Sequence, residues 1–189
     1  MRWFTSVAFA LAASLASAVP IPQDEPQSYD TRQDQQTLYQ LRVQAENYPQ
    51  IHDKYLSILS EQVGIFPTQE NLVFYTTPGV NSESVSMHTI PVGIVDHALV
   101  LTGENGLYDL KDGMPALTDP APSATYSWRE FVLEEESSAV LWRAASEGKW
   151  VVFPGSEQGS FEVKWNDGTG FTTQDYLPIE VVFEEVVKP

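Results

Sequence analysis

The chain has 189 residues, with 26 acids against 10 lysines and arginines, a formal charge of −16 and no cysteine. The missing thiols exclude cysteine hydrolases, dithiol redox proteins and Cys-ligated zinc sites, and they leave any fold to be held by its core without disulfides. Such acidity sets the surface against nucleic acid and anionic lipid and favours solubility, while a basic partner, a cationic polymer or an acidic medium would suit the same charge.

Residues 1–18, MRWFTSVAFALAASLASA, place one cation, Arg2, before a short apolar run that ends at a small-x-small site. This pattern predicts a secretory signal cleaved after Ala18. The run falls short of the roughly 20 residues that span a bilayer. Loss of Arg2 with the signal would leave a mature chain one unit more negative, at −17. The C-terminal EVVFEEVVKP lacks the long apolar tail of a lipid-anchor signal, and no N-x-[ST] sequon occurs. The expectation is a soluble, secreted protein with no membrane anchor.

Residues 19–36, VPIPQDEPQSYDTRQDQQ, are rich in Pro, Gln and Asp and predict a disordered leader. From there a single β-rich domain is expected over 37–189. In LYQLRVQAE (38–46), Tyr39, Leu41, Val43 and Ala45 alternate with polar residues, which is the period of a half-buried strand; Leu38, Leu41 and Ala45 would also share a helix face. Residues 49–63, PQIHDKYLSILSEQV, predict one short helix near 50–62. Pro49 suits its first turn, Ile51, Tyr55, Ile58 and Leu59 form a stripe, and Gly64 suits its end.

Short apolar runs then follow between turn residues: NLVFYTT (71–77), SVSMHTI (84–90), HALVLTG (97–103) and GLYDL (106–110). The proline-rich stretch 111–125 predicts a surface loop. Beyond it come WREFVLEEE, AVLWRAAS, KWVVFPG, SFEVKWND, GFTTQDY and IEVVFEEVV, with turns at Glu147-Gly148, Pro154-Gly155 and Asp167-Gly168. Many short strands at this spacing predict an antiparallel β-sandwich or barrel-like domain. No βαβ rhythm or fixed internal repeat suggests another class.

Four groups of residues bear on chemistry. His88 and His97 fall on neighbouring predicted strands, and Asp96 adjoins His97, so pairing of those strands would bring together a weak candidate metal triad. Ser156, in Pro-Gly-Ser-Glu-Gln-Gly, lacks the strand–elbow–helix setting of a serine nucleophile and predicts a hairpin turn. Glu134, Glu135, Glu136, Glu162, Asp167, Asp175, Glu180, Glu184 and Glu185 supply carboxylates for a glycosidase pair, but the alternation puts Glu162, Glu180 and Glu184 opposite the apolar face, on solvated positions. Trp128, Trp150 and Trp165 are candidate binding residues, able to stack on sugar rings; the same alternation also suits core packing. No catalytic residue and no cofactor are singled out.

The fragments LYQLRVQAE, NLVFYTTPGVNSESVSM (71–87), YSWREFVLEEE (126–136) and SFEVKWNDGTGF (160–171) together resemble a family of small secreted proteins from filamentous fungi that has no established function. The resemblance implies a secreted, β-rich single domain and supplies no catalytic residue. Two departures stand out: Tyr75-Thr76 replaces a histidine before the family's Thr-Gly turn, and its cysteine after the Gly-Phe turn is missing.

The expected function is therefore non-catalytic: a monomeric extracellular binding or cell-wall-associated protein, whose partner is a wall polysaccharide or another extracellular protein. The alternative is a carboxylate-dependent polysaccharide hydrolase.

Overall fold

A computed structural model describes residues 36–90, 95–115, 125–145 and 147–187. The predicted signal and the predicted leader up to residue 35 lie outside them, as does most of the predicted 111–125 loop. The described residues belong to one unit within Gln35–Pro189. They form thirteen strands and no helix: β1 Tyr39–Gln44, β2 Ser57–Leu59, β3 Gln62–Ile65, β4 Val73–Pro78, β5 Val85–Thr89, β6 Ala98–Glu104, β7 Leu107–Gly113, β8 Thr125–Ser127, β9 Phe131–Glu134, β10 Ala139–Trp142, β11 Lys149–Pro154, β12 Phe161–Asn166 and β13 Leu177–Glu185. Every pairing is antiparallel. The expected mainly β, barrel-like class is what the chain adopts.

The ladder closes on itself. β1 pairs with both β4 and β13, β4 with β5, and β5 with β6. β6 then leads through β7, β12 and β11 back to β13. The β9–β10 hairpin makes a second bridge between β5 and β13, at Val85↔Phe131 and Ala139↔Val182. Directly opposed residues share a face, so the register defines the interior. Leu41, Val43, Phe74, Met87, Leu99, Leu110, Val152, Val163, Trp165 and Val181 all lie there, buried. Full burial of one such side chain is worth roughly 1.5–3 kcal/mol, and in the absence of disulfides these contacts carry the fold.

Turn chemistry explains where the strands end. Asn105 and Gly106 both have positive φ and join β6 to β7 as a two-residue hairpin loop, the arrangement an Asn-Gly pair favours. Residues 155–160 link β11 to β12, as the Pro-Gly-Ser segment predicted, and Ser160 Oγ donates to the Glu157 carbonyl at 2.7 Å.

Two expectations are overturned. Residues 49–63 are not helical. Residues 49–53 form a turn, and a β2–β3 hairpin follows, with Ser60 and Glu61 at φ 50° and 71°. The apolar stripe that fitted a helix is instead shared between a turn (Ile51) and a strand (Ile58, Leu59). Long-range pairing of β3 with β12 outweighs the local periodicity. Gly64 is not a helix stop: a Cβ there would collide with the Phe161 carbonyl. GFTTQDY is not a strand either. Residues 170–176 connect β12 to β13 without pairing, and Phe171 is 90% exposed.

The Asn166–Gly170 turn is tightly tied. Asp167 Oδ1 accepts from the Thr169 amide (2.9 Å) and hydroxyl (2.7 Å), and the Asp167 amide donates to the Gly106 carbonyl. These bonds, the Thr169 hydroxyl foremost, hold the Asp167 carboxyl below its usual range. A depressed carboxylate stabilises the fold above its unfolded pKa, about 3.9, and loses that contribution as pH falls through the folded value. The thermal-stability gap between wild type and Asp167→Asn should therefore be full at pH 6–7 and close progressively below about pH 4. Separately, Gly64→Ala should cost about 1–3 kcal/mol in urea unfolding, the range for overpacking.

Candidate functional site

Of the three candidate tryptophans, two are interior. Trp150 and Trp165 face each other across β11–β12, with ring centroids 4.9 Å apart in an edge-to-face contact, and are 3% and 2% exposed. Trp142 adds a third indole against Trp165 and Tyr108. Neither Trp150 nor Trp165 offers a ring face to a polymer; they build the core and, as shown below, one wall of a cavity. Trp128 is partly exposed, with the Arg129 guanidinium 5.5 Å from its ring centre and its plane perpendicular to His88.

β5, which bears His88, does pair with β6, which begins just after His97, but through one residue pair, His88↔Ala98. This register keeps the two imidazoles apart. His88 Nδ1 meets Asp96 Oδ1 at 2.9 Å, and its Nε2 meets the Thr77 hydroxyl at 2.9 Å. Tyr75 stacks on the ring. His97 turns instead to Asp112, Nδ1 to Oδ2 at 2.9 Å, and the other oxygen of Asp112 accepts from the Thr89 hydroxyl at 2.7 Å. Among the described residues no three metal-ligating groups converge. The three residues suspected of forming a triad thus divide between two hydrogen-bonded chains, Thr77–His88–Asp96 and His97–Asp112–Thr89. In each, a carboxylate fixes the imidazole's orientation, as second partners of histidine commonly do.

The carboxylates are scattered. Glu162 lies 3.5 Å from the Lys164 ammonium, which also meets Asp109 at 2.6 Å. Asp167 is held in its turn. Glu184 accepts from the Tyr55 hydroxyl, and that bond pushes the phenol's pKa up. Glu134, Glu135, Glu136, Asp175, Glu180 and Glu185 are exposed.

A polar concavity lies elsewhere. Two adjoining clefts, of about 560 and 410 Å³, share Gln69 and Asn71 on the loop between β3 and β4. The first runs past Glu70, Ile58 and Ile90 to Thr89 and Asp112. The second runs past Phe66 and Pro67 to Tyr55, Lys54 and Asp53. Both volumes fall in the roughly 300–1,000 Å³ range of ligand sites. Together they make a trough lined by amides, hydroxyls and carboxylates, with aliphatic and aromatic patches between.

No protein-family model, curated protein or solved structure matches the chain.

Sequence reasoning missed the trough and the role of Asp112. The polar run Thr68-Gln69-Glu70-Asn71 between two apolar strands was the available signal for the trough. Asp112 was assigned to a loop; extending the GLYDL strand by three residues would have set it opposite Leu99, two positions from His97.

The two histidine chains carry different weights in their members. His88 is 8% exposed in its side chain, Asp96 55%. His88→Ala strands the Thr77 hydroxyl and empties a packed site, and should cost about 2–4 kcal/mol in urea unfolding. Asp96→Asn should cost less than about 1 kcal/mol, as exposed partners do.

Proposed function

We propose that this is a secreted, non-catalytic binding protein that recognises a neutral wall polysaccharide through the trough around Gln69 and Asn71. The trough itself carries the reading. Its carboxylates and amides are suited to sugar hydroxyls, which both donate and accept. Tyr55, Ile58 and Ile90 offer apolar surface to the faces of sugar rings. The strong negative charge disfavours polyanionic polymers and leaves neutral ones unopposed. The predicted secretory signal and the likeness to secreted fungal proteins support an extracellular setting.

The hydrolase alternative gains no comparable support, because Glu162, Asp167 and Glu184 are each engaged by a neighbouring cation or donor. The purified protein should be retained on insoluble chitin or β-glucan between pH 4 and 8. Gln69→Ala combined with Asn71→Ala should lower that retention at least about fivefold, near 1 kcal/mol, with unchanged thermal stability. Absence of retention on every neutral polymer across that pH range would refute the proposal.

A further inference from the structure

One edge of β13 changes partner midway. Ile179 faces Trp150 of β11, while Val182 faces Ala139 of β10. Glu180 and Val181 lie in the gap between the two ladders, and a cavity of about 180 Å³ opens there. Its lining is mainly apolar: Val140, Leu141, Ile179, Val181 and the indoles of Trp150 and Trp165. Glu180 and Lys149 also contribute to it, and it shares no residue with the trough.

Trp165 brings an unpaired donor to this place. Trp142 Nε1 donates to Ser127 Oγ at 3.0 Å, and Trp150 Nε1 donates to the Val140 carbonyl. Trp165 Nε1 is buried and has no partner. An orphan buried donor costs about 1–3 kcal/mol, so native structures keep few of them. The edge of the ring that bears Nε1 lies against Gly148, where any Cβ would collide with it. Gly148 also lines the cavity, and its amide is tied to the Ala145 carbonyl at 3.1 Å. The N–H is therefore covered by Gly148, a residue of the cavity's own lining, and not by a strand.

We propose that this cavity binds a small, uncharged, mainly apolar molecule carrying one hydrogen-bond acceptor, such as a carbonyl oxygen. The acceptor takes the Trp165 N–H beside Gly148, and the apolar body packs on Trp150, Val140 and Ile179. A charged ligand would lose hydration among apolar side chains without compensation. The volume lies below that of drug-sized sites, roughly 300–1,000 Å³, which limits the ligand to a small molecule.

A matched pair of probes tests this: acetophenone, which has a carbonyl, and ethylbenzene, which has nearly the same shape without one. Each is titrated into ¹⁵N-labelled protein while the indole N–H resonances are followed. Acetophenone should shift the Trp165 indole resonance and bind at least about tenfold more tightly than ethylbenzene, about 1.4 kcal/mol. Trp165→Phe should remove that resonance and bring the affinity ratio close to one, and Gly148→Ala should weaken both probes. The wild-type comparison decides the matter even where a variant fails to fold. No shift of the Trp165 indole up to the solubility limit of acetophenone, or equal binding of the two probes, overturns the proposal.

Discussion

The ladder between the first and last strands is what the rest of the structure depends on. β1 and β13 match over six residue pairs, from Tyr39↔Glu185 to Gln44↔Glu180. They bring Leu41 against Phe183 and Val43 against Val181, and so seal the apolar interior. A chain without disulfides has no covalent substitute for this closure. Its ends must meet across nearly the whole sequence, and that entropy is repaid only when the interior forms as a unit. A topology so rich in distant pairings is expected to fold slowly for its size. β13 is also the hub for what surrounds it, since β11 and β10 pair with its other edge. The partner change between them opens a gap in that wall, so the cavity beside Trp165 follows from the way the barrel is closed.

Charge is arranged around the same closure. Two cations sit where strands join. Arg42 of β1 pairs with Asp53 and reaches Glu184 of β13, and Lys164 of β12 lies between Glu162 and Asp109 of β7. Each exposed pair contributes little by itself, about 0–1 kcal/mol. Their placement matters more than their number, because each cation offsets two carboxylates at a seam that would otherwise repel. Glu134, Glu135, Glu136, Asp175, Glu180 and Glu185 lie on exposed positions.

Much of the fold was legible because alternation and burial coincide. Leu41 and Val43, Val163 and Trp165, and Ile179 and Val181 were read as inward from period two alone, and they are inward. Turns with strong residue signals, Asn105-Gly106 and Pro154-Gly155, were equally plain. The failures have physical causes. The β2–β3 loop uses Ser60 and Glu61 in a left-handed conformation that ordinarily selects Gly or Asn, so nothing marked a hairpin, and Ile51, Tyr55, Ile58 and Leu59 matched a helix by spacing. The Thr-Thr-Gln-Asp run after Phe171 alternates with nothing, because no strand lies beside it. The sites were harder still. Burial of Trp150 and Trp165 can be read locally, but the trough and the cavity depend on which strands become neighbours, and strand order is not written in any one segment.

The two histidine chains show how strand order assigns a role that composition leaves open. A hydroxyl, an imidazole and a carboxylate in line, as in Thr77–His88–Asp96, match the order of a proton relay. Their position argues for architecture instead. β5 and β6 share a single residue pair, the shortest contact in the ring. At that point Thr77 of β4, His88 of β5 and Asp96 just before β6 span three consecutive strands. Thr89 of β5, Asp112 of β7 and His97 span the same junction further along. Both nitrogens of His88 are engaged, and Tyr75 covers its face. Satisfied polar chains of this kind are strong in a low-dielectric setting and permit one register only. Side chains thus add cross-strand bonds at the β5–β6 joint to the few the backbone makes there, such as Thr89 N–H to the His97 carbonyl at 3.1 Å, and the barrel closes where its ladder is thinnest.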